Sequence, residues 1–325
     1  MSTATDQVRY LEAINSGLVD SLERDDSVVI IGIDVGTGGG IFTVTRGLHE
    51  RFGSERILDA PISEMGYVGA AVGAAMTGLR PIVEIMFMDF IGVCLDPIMN
   101  QAAKLPYMTA GALQCPIVFR TQTGAGRSAG AQHSQSLETM LAHIPGLKVV
   151  LPATVTDAHD LLLAAVDDPN PVVYVESRRQ YAMRGPMGED PLPLGKARVA
   201  RRGNDVTVVT WGQMLRECLT AAEASSVSVE VIDLRSLAPL DMETVLESAD
   251  RTGRLLVVHE AVQDFGAGAE IAAHAAHELF DVLRVPVRRI GAPAVPMPFS
   301  PTLERALLPS STAVVAATEA MVREG

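Results

Sequence analysis

Apolar residues fall into two rhythms along this chain. Short uninterrupted runs of Val, Ile and Leu alternate with stretches in which apolar residues recur at helical spacing. The first helical stretch covers 7–24 and closes on Glu-Arg-Asp-Asp. Residues 28–35 then form a continuous apolar run ending in glycines, the pattern of a strand buried on both faces. Similar runs recur at 56–62, 80–86, 115–121, 147–151 and 171–176. Helical patterns at 64–78, 88–105, 136–144 and 156–167 lie between them. This alternation predicts an α/β fold whose parallel sheet is joined by right-handed crossovers.

Residues 177–200 break the rhythm, because Pro186, Pro191 and Pro193 with Gly185, Gly188 and Gly195 read as a linker. The alternation then restarts with strands at 205–211, 227–234, 254–260 and 285–290. Helices are expected at 213–225, 241–250, 268–283 and 312–323. A chain of 325 residues exceeds the usual size of one domain, so two are expected, 1–190 and 191–325. Hydrophobic residues are 48% of the chain but aromatics only 4%, so the core is built from aliphatic side chains, as a helix-covered parallel sheet allows.

The net charge of −13 and the lack of a basic stripe argue against a nucleic-acid partner. Cys94, Cys115 and Cys218 have no paired spacing and read as buried thiols of a reducing compartment. Residues 1–10 lack the basic start and apolar run of a secretory signal, and no apolar stretch is long enough to span a membrane. A cytoplasmic protein without a membrane partner is expected.

Against that background Glu64 stands out. It lies where the run ending at Pro61 meets a helix of small residues, with almost no other charge nearby. Burying a lone carboxylate costs several kcal/mol or more, so something must compensate; a protonated ring nitrogen of a cofactor would serve. The plainer reading is a carboxylate at a helix start, with Ser63 as cap. His133 sits in a small-residue loop, 124–135, between a strand and a helix, where α/β proteins place ligands. A histidine there can act as acid, base or charge stabiliser, or can simply be structural. Gly36, Gly38, Gly39 and Gly40 follow the first strand but match no phosphate-binding fingerprint, so a turn is the favoured reading. Asp168 and Asn170 in Asp-Asp-Pro-Asn-Pro read as an Asx-type turn whose oxygens could also bind a hard cation. His274 and His277 share a helix face without a third ligand and read as a solvated or interface face.

Several ordered segments then converge. Glu64, the Gln-His-Ser-Gln loop, Ile-Pro-Gly-Leu-Lys-Val-Val at 144–150, Asn-Gln-Ala-Ala-Lys at 100–104, Val-Glu-Val-Ile-Asp-Leu-Arg at 229–235 and Val-Pro-Met-Pro-Phe at 295–299 form one pattern. From about residue 8 to 320 the chain resembles the beta subunit of thiamine-diphosphate-dependent 2-oxo acid dehydrogenases. That family includes the pyruvate, branched-chain and acetoin dehydrogenase components, and Met-Phe-Met-Asp-Phe at 86–90 looks most like the acetoin branch.

The resemblance implies a pyrimidine-binding domain of thiamine enzymes followed by a transketolase C-terminal-like domain. Glu64 matches the glutamate that bonds the cofactor's pyrimidine nitrogen and favours the imino tautomer able to remove the thiazolium proton. Phe90 matches the aromatic that stacks on the pyrimidine, with Ile62 and Met86 as its neighbours. His133 matches the histidine beside the substrate and the incoming lipoyl group. Ile117, Ala165, Val166, Asp168 and Asn170 match a structural potassium site.

The chain has no Gly-Asp-Gly segment, the family's diphosphate and Mg²⁺ anchor. It therefore looks like half a site. An alpha subunit is expected to supply the missing ligands in an α2β2 heterotetramer, which passes an acyl group to lipoyl-lysine of an acyltransferase core. Ile33 stands where the family usually has Glu, and Ala294 replaces an acidic residue near the docking surface for that core. Those departures keep open a two-subunit transketolase-like or acyloin-forming carboligase. The α/β pattern by itself also permits a non-catalytic nucleotide- or flavin-binding module.

Overall fold

The computed structural model describes residues 7–188 and 191–325. Residues 1–6, which carry part of the N-terminal reading, and residue 190, at the expected domain boundary, lie outside the described residues. The chain forms two compact units, one of residues 1–123 and 140–194, the other of 124–139 and 195–325. The loop carrying His133 thus clusters with the second unit.

In the first unit, helix α1 (Tyr10–Arg24) precedes strand β1 (Val28–Ile33). Strand β2 (Ile57–Ala60), helix α2 (Glu64–Met76) and strands β3 (Arg80–Ile85) and β4 (Val118–Thr123) follow. Strand β5 (Lys148–Val150), helix α3 (Val155–Asp167) and strand β6 (Val172–Ser177) complete it. The strands lie in the order β5-β6-β4-β3-β1-β2 and pair in parallel. Helix α1 packs on α3. Tyr10, Ile14 and Leu18 from one and Leu161 and Leu162 from the other enter a core that also holds Ile30 and Tyr174. Burying such side chains contributes roughly 1.5–3 kcal/mol each.

The second unit runs from strand β7 (Arg198–Arg201) through β8 (Val206–Thr210), α4 (Met214–Ala224) and β9 (Val229–Asp233). Helix α5 (Met242–Thr252), strand β10 (Leu255–Val262) and helix α6 (Ala267–Glu278) come next. Strand β11 (Arg288–Ala292) and helices α7 (Pro301–Leu307) and α8 (Ser311–Glu324) close the chain. The sheet order is β11-β10-β8-β9-β7, parallel except for the edge strand β7.

The expected helix over 88–105 does not form. Its place is taken by a 3-10 turn at Met88–Val93, a π-type turn at Pro97–Ala102 and a single α-helical turn at Leu105–Met108. Pro97 and Pro106 each sit at the start of a new turn, where the missing N–H is harmless, and either would break a continuous helix. The glycine-rich segment after β1 is an ordered turn. Gly36 N–H and Thr37 Oγ1 donate to the Asp59 carboxylate at 2.6 and 2.8 Å.

Candidate active site

Pro61 ends β2, and α2 begins at Glu64. Ser63 makes no side-chain cap; its carbonyl instead accepts from Gly66 and Tyr67 N–H at 2.9 and 3.1 Å. Glu64 is only 7% exposed. Among the described residues, no hydrogen bond or ion pair reaches its carboxylate. Its charge acts on Tyr67, one turn on, and on Cys94. Burial pushes the Cys94 thiol up to about 12, and the Glu64 carboxylate pushes it the same way. The Tyr67 phenol, raised by burial and then by Glu64, donates to the Glu84 carbonyl at 3.1 Å and ties α2 to β3. A helix N-terminus favours a carboxylate by roughly 0.3–1 kcal/mol. The carboxylate has no donor of its own within the described residues.

Beside it, β3 runs into Met86 and the turn Met88–Val93, which packs against α2. Phe90 meets Phe87 edge-on at 5.6 Å, Phe87 meets Phe42 at 5.5 Å, and the Arg178 guanidinium lies 4.2 Å over Phe42. Met86 and Phe90 are half-buried, and Ile62 is 83% exposed. Ile62 and Glu64 thus follow β2 while Met86 and Phe90 follow β3, at the carboxyl ends where open α/β sheets bind ligands.

Sequence reasoning missed a buried charge cluster in this sheet. Arg120 of β4 pairs with Glu84 of β3 and Glu176 of β6, and the Tyr181 hydroxyl donates to Glu176 at 2.6 Å. Glu84 and Glu176 each interrupt a largely apolar run, Arg120 stands in the more polar β4, and the parallel register sets Glu84 beside Arg120. That interruption was the available signal. Burial raises the Glu176 carboxyl, opposed chiefly by Arg120.

The candidate potassium residues are brought together where α3 ends. Asn170 N–H and Nδ2 donate to Asp168 Oδ1 at 2.9 and 3.1 Å, the Asx turn the sequence suggested, and Lys148 pairs with Asp168 Oδ2. The Ile117 carbonyl accepts from Val172 N–H at 2.9 Å, and the Val166 carbonyl from Arg80 at 2.7 Å. Among the described residues no group of three or more His, Cys, Asp or Glu side chains could hold a metal. Carbonyls keep a second lone pair, and Ala165 and Val166 lie in the last turn of α3, so an oxygen-liganded cation fits the donor set.

His133 lies in the second unit, half-buried in the 124–137 loop. A cavity of about 400 Å³ opens beside the loop, between Ser134 and Leu137 on one side and Glu260, Val262, Val295 and Met297 on the other. Ser134 Oγ is buried without a hydrogen-bond partner among the described residues. Where the loop ends, the buried Glu138 carboxylate accepts from Trp211 Nε1 at 3.2 Å. Trp211 stacks on His259 at 5.0 Å. Burial raises the Glu138 carboxyl and lowers His259 to about 4. His274 faces Glu270 at 3.3 Å on an exposed helix surface, in keeping with a solvated face.

The description "Transketolase, pyrimidine binding domain" matches residues 6–184, and "Transketolase, C-terminal domain" matches 195–314. The beta subunit of an acetoin:2,6-dichlorophenolindophenol oxidoreductase from Cupriavidus necator is 44% identical over 96% of this chain and 97% of its own length. The protein of the same description from Bacillus subtilis is 45% identical over 96% of each chain. A pyruvate dehydrogenase E1 component subunit beta from Rickettsia bellii is 42% identical over 96% of this chain and 98% of its own. A solved "split gene transketolase, inactive beta4 tetramer" shares the fold with a TM-score of 0.80 at 24% identity, covering 98% of this chain and 99% of that one.

Proposed function

This chain belongs to the family of beta subunits of acetoin and pyruvate dehydrogenase E1 components, a transketolase-like family, and from that premise we propose that it forms half of a thiamine-diphosphate site. The observation that carries the reading is the buried Glu64 carboxylate, which meets no donor within the described chain. Thiamine diphosphate supplies, when bound, the carbon nucleophile that cleaves a 2-oxo acid or acetoin. Glu64 accepts a hydrogen bond from the pyrimidine nitrogen and holds a proton there. Phe90 offers its ring face, and Met86 and Ile62 wall the ring from water. His133 stabilises charge or moves a proton at its imidazole nitrogen as the acyl group passes to a lipoyl acceptor.

The sequence contains no Gly-Asp-Gly, so the diphosphate and Mg²⁺ ligands belong to an alpha subunit, most simply in an α2β2 assembly that serves a lipoylated acyltransferase core. Potassium at Ile117, Ala165, Val166, Asp168 and Asn170 and the division near residue 190 are parts of the same reading. The carboligase alternative, which Ile33 and Ala294 kept open, is not favoured by the relatives, which are described as acetoin oxidoreductase and pyruvate dehydrogenase beta subunits. No helix among the described residues is long and apolar enough to cross a membrane.

The test is Glu64→Gln in the chain reconstituted with its alpha subunit. Turnover is expected to fall roughly 10²- to 10⁴-fold, the usual reach of a group that governs proton transfer. The cofactor is expected to remain bound through the alpha subunit's ligands, as tryptophan quenching or calorimetry would report. Wild-type turnover in the variant would sink the assignment.

A further inference from the structure

The loop carrying His133 is gripped from below by a carboxylate to which the proposed reaction gives no role. Glu304, in the short helix α7, is only 1% exposed. Its Oε1 accepts from Gly126 N–H at 2.8 Å and Ser128 N–H at 3.1 Å. Its Oε2 accepts from Ser128 N–H at 2.9 Å and from Ser128 Oγ at 3.4 Å. The loop backbone is shaped for that anion. Gly124, Gly126, Ser128 and Gly130 all have positive φ, at 92°, 96°, 54° and 77°. Residues 125, 127 and 129 between them do not. Such alternation turns successive N–H groups inward and makes a concavity that binds an anion.

Ser128 is the informative member. A side chain disfavours the left-handed region, so the backbone holds Ser128 there only because its surroundings over-determine it. The bonds from its N–H and Oγ to one buried carboxylate are that determinant. Two residues on, Gly130 meets the Phe299 ring, which a Cβ at Gly130 would approach to 3.0 Å. Gly130 O in turn accepts from His133 N–H at 3.3 Å. A continuous path therefore runs from Glu304 through Ser128 and Gly130 to the backbone of His133. A charge-assisted bond to a backbone N–H is about twice as strong as a neutral one.

We propose that Glu304 is the positioning residue of His133, its carboxylate filling a backbone anion nest at Gly126 and Ser128 that fixes where the 124–137 loop presents the imidazole. The inference rests on the role of His133 given above. It adds that the segment from Pro296 to Glu304 serves the site although no atom of it need touch substrate.

The test uses the chain reconstituted with its alpha subunit and follows acyl transfer to a lipoyl domain. Wild type, H133A, E304Q and E304Q/H133A are compared, with pyruvate or acetoin as substrate, whichever the wild type turns over. Gln keeps the size of Glu304 and one acceptor oxygen but removes the charge and replaces the other oxygen by an amide donor, so at most one half of the nest stays satisfied. E304Q is expected to lower kcat about 10- to 100-fold, the scale of a misplaced catalytic group. The double variant is expected to be no slower than H133A, because residues that act as one unit are not additive. Losses that multiply in the double variant, or an E304Q of wild-type rate, overturn the inference. A silent E304Q beside a crippled H133A sinks the clamp alone, whereas a silent H133A sinks the histidine's role and the clamp with it. If E304Q does not assemble, amide hydrogen exchange on the wild-type assembly decides. Gly126 and Ser128 are expected to exchange slowly, and exchange at the rate of an open loop overturns the clamp.

Discussion

Two kinds of buried acid sit within the first unit, and they differ in company. Glu84 and Glu176 share the guanidinium of Arg120, and Glu176 also receives the Tyr181 hydroxyl. Glu64, almost as deeply buried, receives neither hydrogen bond nor cation from the described chain. A fold that must hide carboxylates for its own sake surrounds them with donors, as the sheet does around Arg120. The missing donor at Glu64 is what the proposed cofactor contact would supply.

The comparison breaks most visibly at Arg120. Arg120→Leu leaves two carboxylates facing each other in the sheet without their cation. Removing one partner of a buried ion network costs roughly 3–5 kcal/mol, because the remaining charges stay desolvated. Urea unfolding is expected to show that loss. Replacing Glu84, Arg120 and Glu176 together by Gln, Leu and Gln is expected to recover most of it. A single variant of wild-type stability would mean that the cluster is open to solvent and does not represent a satisfied interior.

A mid-sized effect comes from the second unit, where Glu138 and His259 flank Trp211. Burial, with Arg289 adding to it, lowers His259 from 6.5 to about 4, so the unfolded chain binds its proton more tightly than the folded one. Its contribution is fully present above pH 6.5 and is lost as the pH falls toward 4. About 2 kcal/mol is expected to go between neutral pH and about pH 5. Glu138 has the opposite sign. Burial raises its carboxyl above 4.5, so the folded chain holds the proton longer, and stability declines as the pH rises through that window. Urea midpoints against pH are expected to flatten on the acid side in His259→Phe and to lose the decline above pH 4.5 in Glu138→Gln. Unchanged profiles in both variants would place these groups in water.

How much of this was legible beforehand depends on whether a residue's meaning is local. Strands such as 28–35 and 171–176 were readable because both faces are buried and their residues are mostly apolar. The edge strand Arg198–Arg201 has no such run and passed unread, as did the seven-residue helix at Pro301–Leu307. The segment 88–105 misled because its helical spacing of apolar residues outweighed Pro97, which restarts the turn. Glu64 could be suspected from its apolar neighbours alone. Glu304 could not, since its partners lie more than 170 positions earlier and reach it mainly through backbone N–H groups. The one available hint was the run of glycines at 124–130, whose inward N–H groups need an acceptor.

The smallest expected effect is the most discriminating, because its sign decides between two readings of Glu64. If the carboxylate were there to complement the start of α2, Glu64→Gln would remove a favourable charge–dipole interaction and destabilise the isolated chain by roughly 0.3–1 kcal/mol. If it is a desolvated charge held for a ligand, the neutral amide relieves the burial cost, and the chain gains about 1 kcal/mol. The gain is expected. Chemical denaturation of the isolated beta chain near neutral pH, where the acid is ionised in unfolded chains, reads it directly. A rise in midpoint together with the loss of turnover in the reconstituted enzyme is the exchange of stability for function seen at strained sites. A fall in midpoint would return Glu64 to the company of Glu84 and Glu176, as an acid the fold keeps for itself.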